Sequence, residues 1–183
     1  MGNRGGRFHS DDRTIGARRH VSRRWIACEC EFRGRRRQVW GASYTELFFL
    51  DEVTALAAGH RPCYECRRAN AQDFARAFAG NPIGADDIDV VLDGERRNGR
   101  DKRLHSMPYD ELPDGAMVAI AGSAFAVRGD DLLKWSFEGY RAGRERPARS
   151  MAEVLTPPSI VRALSNGYEP RWFGLFDEPV SPA

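Results

Sequence analysis

Four cysteines in two close pairs constrain this chain more than any other feature. Cys28 and Cys30 lie in one short run, Cys63 and Cys66 in another, and the 183 residues contain no further cysteine. Pairs at such spacings, brought together by folding, match what a tetrahedral zinc ion needs, because two ligands from each segment can meet at one point. The second pair sits in a clear frame. A short Ala-rich helix stops at Gly59, Pro62 prevents its resumption, and a second helical pattern begins after Cys66. Cys66 therefore stands at a helix N-terminus, where the dipole favours thiolate. All four cysteines are expected to bind Zn2+, with His60 as the replacement ligand should Cys30 turn away.

Length and composition set the outer bounds. A chain of this size can bury a real core, and 42% apolar with 30% charged residues is ordinary for a globular protein. No apolar run approaches the about 20 residues of a membrane span, and the basic start has no apolar signal segment. No membrane partner and a cytoplasmic setting are the expectation, and clustered cysteines there favour metal over disulfides. The net charge of +2 is unevenly spread. Residues 1–40 hold eleven arginines against four acids, which leaves the rest of the chain acidic, so the front of the molecule is its polyanion-attracting end.

The expected fold class is α+β: a zinc-stabilised β-hairpin and helix module, then a small, mostly β C-terminal segment. Residues 1–20 have no hydrophobic period and read as a flexible basic arm. The module spans 21–80. Trp25, Ile26, Cys28, Cys30 and Phe32 precede a turn at Gly34, and Val39 and Trp40 follow, a hairpin that places Cys28 and Cys30 on one face. Residues 46–50 read as a short buried strand. Asp51 is an N-cap for the helix over 52–58, and Ala71, Phe74, Ala75 and Phe78 line the core face of the next helix. The C-terminal region, 81–183, should pack on this module. It opens with a helix over 86–95, whose Asp86, Asp87, Asp89 and Asp93 read as its polar face, and a basic loop over 96–103. Strands over 116–121, 124–128 and 132–137 come next, then a loop over 138–150, a strand at 153–155 and a helix over 158–166.

The run from Phe48 and Phe49 through Gly59-His60-Arg61-Pro62-Cys63-Tyr64-Glu65-Cys66-Arg67 resembles the second half of the zinc-binding domain of Ada-type DNA repair proteins. The resemblance covers residues 25–68. It implies zinc held by both cysteine pairs, DNA as partner, and a cysteine of the first pair as methyl acceptor from DNA phosphotriesters. The first pair is Cys28-x-Cys30 here against Cys-x3-Cys in that family, and the family's Pro-Cys-His-Arg alkyltransferase motif has no counterpart. The extended signature Gly-His-Arg-Pro-Cys-x-x-Cys-Arg-Arg is also similar to that of small bacterial proteins.

Three functional classes follow. The first is nucleic-acid binding, DNA before RNA, through Arg33, Arg35, Arg36 and Arg37 at the hairpin tip, Arg61, Arg67 and Arg68 around the knuckle, and Lys102 and Arg103 in the basic loop. Arginine binds phosphate bidentately, and Trp25, Phe32 and Trp40 offer stacking faces. The second is a zinc-thiolate methyl acceptor or a nucleic-acid-processing enzyme. The third is an adaptor with a purely structural zinc, in which Arg61, Arg67 and Arg68 offset the site's negative charge.

Overall fold

The computed structural model describes residues 1–34 and 38–174. Among these, three very short strands build the frame of the N-terminal half: β1 (Gly2–Asn3), β2 (Ile26–Ala27) and β3 (Arg61–Pro62). β2 is central, antiparallel to β1 and parallel to β3, with Ala27 opposite both Gly2 and Pro62. The expected hairpin over 25–40 is absent among the described residues, because β2 finds its partners at positions 2–3 and 61–62 instead. The same pairing takes the start of the chain, read as an arm, into the sheet. The expected strand over 46–50 is reduced to a single bridge between Gly2 and Leu47, and Phe48 is 59% exposed.

Helix α1 (Glu52–Ala57) begins where expected. The Asp51 carboxylate accepts from the Thr54 N–H at 2.9 Å, and Gly59 closes the turn at φ +81°. Helix α2 (Arg68–Ala79) buries Ala71, Phe74, Ala75 and Phe78 and ends on left-handed Gly80. Helix α3 (Ala85–Arg96) follows. The basic loop after it is ordered as a hairpin, β4 (Arg97–Asn98) and β5 (Asp101–Lys102), turning at Gly99.

The remainder is a six-stranded antiparallel sheet in the order β10-β9-β8-β7-β11-β6. Its members are β6 (His105–Pro108), β7 (Met117–Ile120), β8 (Ser123–Arg128), β9 (Asp131–Ser136), β10 (Gly139–Glu145) and β11 (Met151–Val154). β10 replaces the expected loop over 138–150. As an edge strand it needs backbone pairing on one side only, so a glycine- and arginine-rich run suffices, with an irregularity between Arg141 and Arg144. Helix α4 (Pro158–Ser165) joins the halves. Its Ile160, Ala163 and Leu164 pack with Leu56, Phe74, Phe78 and Leu92, while Val161 faces the sheet core of Val118, Val127, Leu132 and Val154. Among the described residues, no helix is long and apolar enough to cross a membrane.

Candidate metal centre and basic pocket

Parallel pairing of β2 with β3 explains how distant cysteines meet. The Arg61 N–H donates to the Trp25 carbonyl at 3.0 Å and the Cys63 N–H to the Ala27 carbonyl at 3.0 Å. Both strands then end at the same level, one on Cys28 and the other on Cys63. A tight turn follows, in which the Arg67 N–H donates back to the Cys63 carbonyl at 3.0 Å and Cys66 returns beside Cys63. The ligand atoms of Cys28, Cys63 and Cys66 lie within 4.8 Å of one another. Three close cysteines in this arrangement can hold a metal ion.

The surroundings favour thiolate at Cys63. The Glu65 N–H points at Cys63 Sγ (3.4 Å) and the Glu29 N–H at Cys66 Sγ (3.3 Å), the backbone donors that a metal-bound thiolate uses. The Cys28 thiol hydrogen-bonds to Cys63, and this contact, helped by the backbone amides of Cys66 and Glu65, holds Cys63 down to about 5. The same contact, together with burial, pushes Cys28 up, and burial pushes Cys66 up. Three thiols competing for protons in a half-buried site form a donor set that suits a thiophilic ion, which replaces the protons and carries the positive charge.

Cys30 lies outside this group. β2 ends at Ala27, so the strand alternation expected to align Cys30 with Cys28 does not extend that far. Its exposed sulfur is 3.8 Å from the Met1 amine, although it helps line the same cavity of about 30 Å³. His60 is no substitute. It is fully buried between Trp25 and Phe49, at centroid distances of 5.3 and 4.7 Å, and neither ring nitrogen has a well-aligned partner. Burial, then the charges of Arg4 and Arg96, push its pKa well below the usual imidazole range, so it stays neutral.

The arginines expected at a phosphate surface divide sharply. Arg61 is buried in a bidentate pair with Asp89, at 3.0 and 2.7 Å. Asp89, read as part of a solvated helix face, instead points inward; burial pushes its carboxyl up and Arg61 opposes the shift. Arg67 is buried against Glu52 at 2.5 Å, and Glu52 also accepts from Tyr168 Oη (2.5 Å) and the Arg171 N–H (3.0 Å). Burial works against the Arg67 charge, but Glu52 outweighs it and raises the pKa. Neither guanidinium faces solvent. Arg33 and Arg68 are exposed, Arg33 lying over the Phe32 ring at 5.0 Å. Arg35, Arg36 and Arg37 lie outside the described residues. Arg103 is exposed and donates to the Gly94 carbonyl at 2.7 Å.

A different set of cations converges. Arg4, Arg18 and Arg19 from the N-terminal segment face Arg96, Arg97, Arg100 and Lys102, from the end of α3 and its hairpin, across a pocket of about 690 Å³. Asp101 is the single carboxylate among the described residues of its lining. Of the described cationic residues expected from the sequence to bind phosphate, Lys102 alone lines it, together with Trp25 from the expected stacking faces. The unevenly basic front of the chain and the basic run over 96–103 were the available signals; their meeting was not.

Trp25 forms the pocket floor. Arg4 and Arg96 lie over its ring at 3.8 and 4.3 Å. Burial pushes both guanidinium groups down to about 10, Arg4 further through Arg96 and Arg19, while Asp93 works the other way on Arg96. Packing of its amine, with help from Arg4 and Arg96, lowers Lys102 to about 8. Gly59 makes this arrangement possible: a Cβ there would sit 2.9 Å from Arg96 Cβ and Cδ, and φ is positive. Thus β2 is flanked by the pocket floor, Trp25, on one side and on the other by Cys28, a member of the cluster that could hold a metal ion.

Comparison with protein-family models, with curated proteins and with solved structures returns no match.

Proposed function

We propose that this chain is a zinc-organised nucleic-acid-binding protein in which the metal sets the geometry and the basic pocket engages phosphate. Cys28, Cys63 and Cys66 hold the ion, and Cys30, at the rim of the same cavity, is the fourth ligand. A bound Zn2+ supplies a tetrahedral cross-link and cancels thiolate charge; everything else falls to the protein's own side chains. Fixing Cys28 to Cys63 locks β2 against β3. That in turn places Trp25, Gly59 and Arg96, on which the pocket is built.

The observation that carries the reading is the convergence, among the described residues, of seven cationic side chains on one pocket with a single carboxylate among them. Like charges crowd together in a folded protein at a cost, which the phosphates of a polyanion offset while its own condensed counterions are released. DNA rather than RNA follows from the likeness to the Ada-type module.

Binding to a labelled oligonucleotide across a salt series is the test. The logarithm of affinity should fall linearly with the logarithm of salt concentration, each phosphate contact adding about 0.7 to 0.9 to the slope. Exposed Arg18→Glu should weaken every sequence alike. Affinity unchanged by salt, or absent for both single and double strands, would overturn the proposal.

A further inference from the structure

The pocket's construction says more about its ligand than its sign of charge does. Both of its aromatic and most of its cationic resources are already committed in an unusual way. Trp25 is 5% exposed, flanked by His20 and His60 as well as by the two guanidinium groups, so no ring face remains for a base. Recognition here runs through charge alone. The Arg96 side chain is wholly buried, and its Nε, like that of Arg4, has no hydrogen-bond partner among the described residues. Asp93 is shared between Arg96 (3.6 Å) and Arg97 (3.2 Å), whereas Arg4, Arg18 and Lys102 bond to the carbonyls of Arg19, His20 and Ala57. Positive charge is left over, and part of it is withdrawn from water.

Where part of a cationic pocket is shielded from water, as around buried Arg96 and Trp25, the ligand of highest charge density gains most, since interactions strengthen where water is excluded. An internal phosphodiester carries one negative charge and must lead its flanking nucleotides out on both sides. A terminal phosphomonoester carries between about 1.5 and 2 charges at neutral pH and has three oxygens free to accept hydrogen bonds. A volume of about 690 Å³ lies within the range of pockets that enclose a small ligand. We propose that the pocket formed by residues 4, 18–19 and 96–102 captures the terminal phosphate of a nucleic-acid strand. This rests on the nucleic-acid reading above and narrows it from backbone contact to end recognition.

The test compares one single-stranded oligonucleotide carrying a 5′-phosphate, a 3′-phosphate or hydroxyl ends only, labelled internally and titrated with the full chain at fixed salt. Adenosine monophosphate serves as a competitor. One phosphorylated form should bind about tenfold or more tightly than the hydroxyl form, as expected for one added charge-assisted hydrogen-bond cluster. The exposed pair Arg18→Glu and Arg100→Glu should abolish the preference without changing the melting temperature. Arg141→Glu, on the exposed edge strand β10, should leave it intact. Equal affinity for phosphorylated and hydroxyl ends overturns end recognition while leaving nucleic-acid binding standing. Competition by the free mononucleotide at concentrations matching the phosphorylated strand overturns the strand assignment. No binding by any strand removes the nucleic-acid reading and this inference with it.

Discussion

The two halves of this molecule are held together by different forces. In the sheet half, strands of four to seven residues pair in register and bury a continuous apolar cluster of Val118, Phe125, Val127, Leu132 and Val154. In the N-terminal half, three strands of two residues each make the frame, and the buried groups include Arg61, Arg67, Asp89, Glu52, His60 and Arg96. Two-residue strands contribute few ladder bonds, so the buried ion pairs Arg61–Asp89 and Arg67–Glu52 add to the apolar packing of Leu56, Phe74 and Phe78 there. The lesson is that local geometry near the cysteines rests in part on buried charge pairs, whereas the sheet rests on strand pairing and apolar packing.

Removing the metal should separate the halves most clearly. Chelation, or Cys63→Ser, should release β2 from β3 at a cost of several kcal/mol, since structural zinc binding in small modules is worth about 10 kcal/mol or more. Hydrogen exchange should then show lost protection at Cys63 and in α2 while amides of β7, β8 and β9 stay protected. Uniform loss across both halves would erase the distinction.

Buried charge comes next. Arg61→Ala strands Asp89 in the interior and should destabilise by about 3–5 kcal/mol in denaturant titration. Replacing the pair together, as Arg61→Met with Asp89→Leu, should restore most of that loss. In the sheet, Leu132→Ala should lose about 2–5 kcal/mol, with no partner substitution able to rescue it. Failure of the double variant to recover would mean that shape rather than charge governs the Arg61 site.

Gly59→Ala tests the junction between centre and pocket. The substitution imposes a positive φ on a residue with a Cβ and drives that Cβ into Arg96, so a loss of about 1–3 kcal/mol and weaker anion binding should appear together. Unchanged anion binding would uncouple Arg96 from the pocket.

Acid provides the finest discrimination. His60 is neutral when folded, but the unfolded chain takes up its proton below about pH 6.5. Its contribution is therefore complete above that pH and is lost as pH falls, by at most about 1.4 kcal/mol per pH unit. His60→Phe should flatten the fall between pH 6.5 and 5 in thermal melts. An unaltered slope would place the acid sensitivity elsewhere.

What could be read from the sequence follows the range of the interactions involved. Asp51, Gly59 and Gly80 act within a turn or two, so α1 and α2 were legible, as was the apolar face through Ala71, Phe74, Ala75 and Phe78. Trp25 through Ala27 looked like half of a hairpin because its real partners are remote, at Gly2 and Arg61. Arg61 and Arg67 looked like phosphate ligands because their acids, Asp89 and Glu52, are 28 and 15 positions away. The cluster of Cys28, Cys63 and Cys66 was legible in the two cysteine pairs, but the placement of Cys30 at the rim of their cavity was not, since β2 ends at Ala27. The basic pocket was legible only as two separate basic runs, since nothing local says that residues 4, 18 and 19 fold over the end of α3.

The central claim is that Cys28, Cys63 and Cys66 jointly hold one ion that positions the rest of the N-terminal half. Metal content per chain, measured on purified protein and on each Cys→Ser variant, tests it most directly. The expected result is one equivalent of zinc, lost in Cys28→Ser, Cys63→Ser and Cys66→Ser and only weakened in Cys30→Ser. A metal-free protein with intact protection at β2 and β3 would contradict it.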